Sequence, residues 1–190
     1  MAHRYCLEFS KKGEARFMGH LELEVAFARM FRSAFIPIAF SERFHQRPRI
    51  QLEEALPLGW TSERERVWVE CTQPYPSQAL LARVKRECLP GIQILRAFPW
   101  VGKPRFAENK RFQVSGLHQI PMATRVHELF PPHLGVQVSA ALDAKKVDWV
   151  ISLAGKVGST PSLKTVLKKV LGNSYRQDFS VNRLVVGGQV

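Results

Sequence analysis

Between Arg4 and Phe98 the spacing of apolar residues changes from two to 3.6 and back again, twice, and few folds accept that order. Residues 4–10 alternate, with Tyr5, Leu7 and Phe9 on one face and Cys6 and Glu8 on the other, as in a half-buried strand. Lys11-Lys12-Gly13 then reads as a turn or bulge before Ala15 to Met18. From about His20 to Phe35, Leu23, Phe27, Met30, Phe31 and Ala34 share one helical stripe. Glu22 and Glu24 open this helix and Arg29 and Arg32 close it, each sign complementing the helix dipole; Pro37 stops it. Pro37 to Phe40 begins a strand that a basic, aromatic loop (Ser41 to Arg49) interrupts before it resumes through Leu52. Arg64 to Cys71 alternates again, with Val67, Val69 and Cys71 inward and Arg66, Trp68 and Glu70 outward. Ser77 to Cys88 carries a second stripe (Leu80, Leu81, Val84, Cys88) that Pro90-Gly91 terminates, and Ile92 to Phe98 is a further strand. The order β-α-β-β-α-β predicts a ferredoxin-like α+β unit, with two helices on one face of a four-stranded antiparallel sheet.

The same order recurs in the second half. Pro99 to Pro104 is rich in chain breakers, so residues 99–108 are expected to link a first domain (1–98) to a second (109–190). Arg111 to Ser115 reads as a strand and Pro121 to Phe130 as a short helix. Gly135 to Ala141 and Val147 to Leu153 form a hairpin around Asp143-Ala144-Lys145-Lys146. Pro161 to Leu171 is a helix, with Thr160 expected as N-cap and Gly172 at the C-terminal left-handed position, and Tyr175 to Val186 closes with a strand. The expected architecture is two tandem ferredoxin-like units with antiparallel sheets.

Charge narrows the partner. Twenty-eight Lys and Arg against sixteen Asp and Glu leave a net charge of +12 over 190 residues, with an isoelectric point near 10.1. Such an excess favours a polyanion, because each phosphate neutralised releases condensed counterions. Residues 1–98 hold 15 basic and 11 acidic side chains, a net of +4, whereas residues 99–190 hold 13 and 5, a net of +8. The second half is the expected electrostatic footprint.

Other classes fall away. The chain has no run of about 18 apolar residues, so no membrane-spanning segment is expected. Its opening Met-Ala-His-Arg-Tyr enters a strand pattern without a signal-peptide core. Cys6, Cys71 and Cys88 are odd in number and lack CxxC spacing, which suits a reducing cytoplasm and argues against a disulfide framework or a thiolate metal site. His127 and His133 flank Pro131-Pro132 without a carboxylate at zinc spacing, and no P-loop, GxGxxG or cysteine triplet is present. No cofactor or metal is expected.

The candidate residues interleave cations with aromatics, a pattern suited to unpaired bases stacked on rings while cations hold the backbone. In the loop these are Arg43, Phe44, His45, Arg47 and Arg49, with Arg16 upstream. Around the expected linker, Lys103, Arg105, Lys110 and Arg111 alternate with Trp100 and Phe106, and Lys164, Lys168 and Lys169 line the solvent side of the last helix. Trp68 on an outward sheet position is either a stacking platform or buried against the other domain. His20, at the start of the first helix, and His45 would together suit metal-free RNA cleavage, one taking the 2′-OH proton and the other protonating the leaving oxygen; they are weak catalytic candidates.

The stretch Gly13 to Trp60 also carries a resemblance. Gly-Glu-Ala-Arg-Phe-Met-Gly-His-Leu-Glu-Leu (13–23), Phe-His-Gln-Arg-Pro-Arg-Ile (44–50) and Leu-Pro-Leu-Gly (56–59) resemble a bacterial family of unknown function called radical-SAM-linked, whose members are encoded beside or fused to radical SAM enzymes. Pro161 to Leu167 and Asn182-Arg183 look like that family's last helix and strand. The chain departs from the family pattern at Gly19 (Ser there), Glu22 (Asp there) and across Arg43 to Pro48, where the family has Gly-Phe-Asn-Pro-His-Pro. The resemblance implies a radical SAM partner acting on RNA or the translation machinery. The paired layout is similar to that of CRISPR repeat-cleaving proteins and some pseudouridine synthases.

Together these readings predict a cytoplasmic, non-catalytic RNA-binding accessory protein that serves a radical SAM enzyme and makes no membrane contact. The competing expectations are a protein-interaction module without RNA contact and a metal-independent ribonuclease using His20 and His45.

Overall fold

A nine-residue strand, β1 (His3–Lys11), is the axis of the first half of the chain. The computed structural model describes residues 3–42, 44–54, 56–104, 109–116, 122–143, 146–155, 160–172 and 179–184. Among them the fold is mixed α+β, with mostly antiparallel strands and four α-helices, and the chain divides into two units, residues 1–105 and 106–190.

In the first unit β1 is followed by a 3-10 turn (Gly13–Phe17), α1 (His20–Ser33), β2 (Ile50–Leu52), β3 (Thr61–Cys71), α2 (Ser77–Arg86) and β4 (Ile92–Pro99). The strands lie in the order β4-β1-β3-β2, and each neighbouring pair is antiparallel. Alternation places Tyr5, Leu7 and Phe9 with Val67, Val69, Ile92 and Ile94 against Leu23, Phe27, Met30 and Phe31 of α1 and Leu80 and Val84 of α2. The Phe9 and Phe27 rings meet edge-on at 4.8 Å. Each such buried aromatic or aliphatic side chain contributes about 1.5–3 kcal/mol of hydrophobic stabilisation.

Glu22 starts α1 by reaching back to accept the Gly19 N–H at 2.6 Å, the third-position half of a capping box. The helix ends at Ser33, two residues short of the expected Phe35. Phe35 enters the left-handed region at φ 54°. Its N–H donates to Arg32 O at 3.0 Å, while the Ile36 N–H donates to Phe31 O at 2.9 Å. That is a Schellman closure with phenylalanine where glycine is usual. The expected strand at 37–40 reduces to isolated bridges, Ile38 with Cys71 and Phe40 with Pro48, because the chain turns a corner there. The turn or bulge expected at Lys11-Lys12-Gly13 is present as a bulge in β1 between Phe9 and Lys11, and Gly13–Phe17 forms the 3-10 turn.

The second unit contains β5 (Asn109–Ser115), α3 (Met122–Leu129), β6 (Val136–Asp143), β7 (Lys146–Ala154), α4 (Leu163–Leu171) and β8 (Ser180–Leu184). Its strands lie in the order β8-β5-β7-β6, with the pairs antiparallel. Phe112, Val114, Ile151 and Val181 of the strands are buried, as are Val126 of α3 and Val166, Leu167 and Val170 of α4. Arg125 donates to Val170 O at 2.9 Å, tying α3 to α4. The N-cap of α4 is Ser162, whose Oγ accepts the Thr165 N–H at 3.2 Å, not the expected Thr160. Two residues separate Thr160 from the first free N–H groups, and its hydroxyl bonds Ala154 O instead. Gly172 follows α4 at φ 54°. Most of the strand expected from Tyr175 lies outside the described residues before Phe179.

Candidate nucleic-acid interface

The basic loop leaves the first sheet from a corner fixed by three backbone hydrogen bonds. Ala39 N–H donates to Glu70 O at 2.8 Å, Arg49 N–H to Ala39 O at 2.8 Å, and Glu70 N–H to Arg49 O at 3.0 Å. Ser41 closes the loop neck: its N–H donates to Arg47 O at 2.9 Å and its Oγ accepts the Arg47 N–H at 3.0 Å. Beyond that neck the Phe44 ring is 97% exposed, edge-on to His45 at 5.1 Å. Ser41, Phe44, His45, Arg47, Pro48 and Arg49 line an open groove of about 620 Å³.

The anchoring is electrostatic as well. Glu70 takes Arg4 at 2.8 Å and Arg49 at 3.4 Å, so one carboxylate couples β1 to the loop. Arg49 also donates to Phe40 O at 3.4 Å. Arg49 is therefore partly committed to holding the corner, whereas the Arg47 side chain is exposed. Glu70 and Arg4 were not among the expected site residues. The register that sets Arg4 opposite Glu70 is the signal that finds them.

The sheet face turned away from the helices is polar yet covered. Glu8 is 2% exposed and lies 3.5 Å from Arg66, 3.9 Å from Arg96 and 4.0 Å from Arg64. Trp68 is buried, edge-on to Trp100 at 6.1 Å, so it is not an open stacking platform. Burial pushes the Cys6 thiol up to about 12, against the pull of Arg66, and the Cys71 thiol up to about 11. It also raises the thiol of half-buried Cys88, which donates to Val84 O.

The opposite end of β1 holds the other family-like segments. Gly59 N–H donates to Arg16 O at 2.8 Å, joining the Leu56–Gly59 turn to the 3-10 turn. Arg16 is exposed and stacks its guanidinium 4.6 Å from the Phe17 ring centre. Beneath them Lys11 is buried, its Nζ donating to Met18 O at 2.7 Å; burial lowers its pKa despite the attraction of Glu65 and Glu22. Nothing in Lys11-Lys12-Gly13 signals a buried lysine.

His20 begins α1 at this end, with Nε2 3.5 Å from Glu24 Oε1. His45 belongs to the loop anchored at Arg4 and Glu70. Seven residue steps of β1 separate the Arg4 and Lys11 ends, about 23 Å at 3.3 Å per residue. His20 and His45 thus belong to elements at opposite ends of β1.

The remaining candidates scatter. Lys103 is exposed, its carbonyl accepting from Trp100 Nε1 at 3.3 Å. Lys110 and Arg111 lie on β5, with Arg111 exposed. Lys164, Lys168 and Lys169 are exposed on α4, and Lys169 sits 5.2 Å from the Phe130 ring centre. Arg43 and Arg105 lie outside the described residues. Among the described residues no cluster of His, Cys, Asp and Glu could hold a metal, and no helix is long and apolar enough to cross a membrane.

A family described as an uncharacterized protein conserved in bacteria (DUF2344) matches residues 4–176. No curated protein matches the chain. A solved structure of an unknown protein from Galdieria sulphuraria is similar over 97% of this chain and 100% of its own, at 10% identity and a TM-score of 0.33.

Proposed function

The chain belongs to this conserved bacterial family, and we propose that it is a non-catalytic RNA-binding accessory protein whose first contact is the Ser41–Arg49 loop. The observation that carries the reading is Phe44, an almost fully exposed ring beside His45, Arg47 and Arg49 along an open groove. An aromatic face stacks on a base whatever its identity, while guanidinium groups follow the phosphates. The net charge of +12 supports a polyanionic partner. The placement of His20 and His45 at opposite ends of β1 supports a binding rather than a cleaving role. The element order and the pairings β4-β1-β3-β2 and β8-β5-β7-β6 support reading the chain as two tandem ferredoxin-like units.

The test is fluorescence anisotropy against a structured RNA across a salt series. Micromolar or tighter binding with log K falling by about 0.7–0.9 per phosphate contacted is the expected result. Arg47→Ala should weaken it and reduce the salt slope. Absence of binding at low salt overturns the reading.

A second surface favours a protein partner as well. Leu21 and Val25, one turn apart on α1, are 74% and 51% exposed, and with Met18 and Leu89 they line an apolar groove of about 560 Å³. The resemblance to the radical-SAM-linked family supports a radical SAM enzyme in RNA modification or translation-related processing as the partner. Co-purification lost on Leu21→Asp is the expected result; co-purification unaffected by that change removes the groove from the account.

A further inference from the structure

We infer that the loop end of the first sheet is a platform for unpaired nucleotides, built from Phe35, Phe40 and Phe44; the inference rests on the RNA reading above and specifies the class of RNA. Phe35 is 86% exposed, Phe40 47% and Phe44 97%, three water-facing rings within ten residues. All three belong to one end of the sheet. Pro37 O accepts the Thr72 N–H at 3.0 Å just beyond β3, and Phe40 bridges Pro48 at the base of the loop.

Phe35 is the independent observation. Its backbone sits at φ 54°, where a residue with a side chain is strained and glycine is not. Exposed as it is, the ring recovers none of that strain through burial. A strained residue that the fold does not require points to a role outside the fold. Exposed aromatic rings near cations suit bases whose faces are free, which excludes a fully paired duplex. The neighbouring cations are Arg47, with its side chain in water, and Arg49 on Glu70. Bases stack on the rings and the phosphates run past the arginines.

Phe35→Gly gives a clean test, because it satisfies the helix end better than phenylalanine does. Anisotropy would be measured for the full chain and for Phe35→Gly and Phe44→Ala. The probes are a 12-nucleotide single-stranded RNA and the same sequence in a duplex. The expected result is at least tenfold tighter binding to the single strand, with each variant weakening that binding about fivefold or more and leaving the duplex unchanged. Equal binding to both probes overturns the platform while the RNA reading stands; single-strand binding untouched by both variants overturns the platform and moves the RNA contact away from Phe44. No binding to either probe at low salt overturns both.

Discussion

Glu70 and Arg49 are joined twice: the Glu70 N–H donates to Arg49 O at 3.0 Å, and its carboxylate lies 3.4 Å from the Arg49 guanidinium. Glu70→Gln keeps the first bond and removes the charge from the second and from Arg4. The expected loss of stability is small, about 0.5–1 kcal/mol, because both arginines are more than 40% exposed. The loop should loosen more than the fold does. Chymotrypsin should cut after Phe44 faster in the variant, and high salt should bring the wild type toward the same rate. Equal cleavage of the two proteins would show that backbone bonds alone hold the corner.

Phe35→Gly is expected to raise stability by about 0.5–1 kcal/mol. The left-handed conformation costs a non-glycine residue about 1–2 kcal/mol, offset in part by the greater freedom of glycine in the unfolded chain. Urea denaturation would read the gain as a higher midpoint. An unchanged or lower midpoint would mean that the phenylalanine ring makes a stabilising contact.

Ser162→Ala is expected to cost about 1 kcal/mol, the usual effect of losing an N-cap. Thr160→Ala should cost less than about half of that, since its hydroxyl makes one exposed bond to Ala154 O. The reverse order in thermal denaturation would return the cap to Thr160.

The thiols should make stability fall at alkaline pH. Cys6 and Cys71 titrate at about 12 and about 11 in the folded chain against an ordinary 9.0, so folding retains protons that the unfolded chain releases. Their contribution is complete below pH 9 and is lost as pH rises from 9 toward 11–12. At pH 8 a thiol reagent should label half-buried Cys88 first and reach the other two only on unfolding. Immediate labelling of Cys6 would contradict its burial.

The strands and helices were readable because each element carries its own period. The α1 stripe from Leu23 to Ala34 lies in the core as expected, and Val67, Val69 and Cys71 face it. What sequence could not supply was contact between residues distant in the chain. Glu70 reads as one more outward side chain until the register sets it against Arg4 and the corner sets it against Arg49. Lys11 reads as a solvated turn residue until the β1 bulge directs it under Met18. His20 and His45 are 25 positions apart in a segment that looks continuous, yet α1 and the corner carry them to different ends. The helix end failed for a local reason: the stripe continues to Ala34, while the left-handed turn at Phe35 leaves no trace in hydrophobic spacing.

β1 also sets how substitutions combine. The Phe44 loop hangs from its Arg4 end, and Leu21 stands on the first turn of α1 beside its Lys11 end. Sites so far apart with no shared neighbours are thermodynamically independent, their effects adding to within about 0.3–0.5 kcal/mol. The change in unfolding free energy of a Phe44→Ala, Leu21→Asp double variant should therefore equal the sum of the two single changes. The nine-residue strand between them keeps the two surfaces at opposite ends of the first unit, so each can be altered without disturbing the residues of the other.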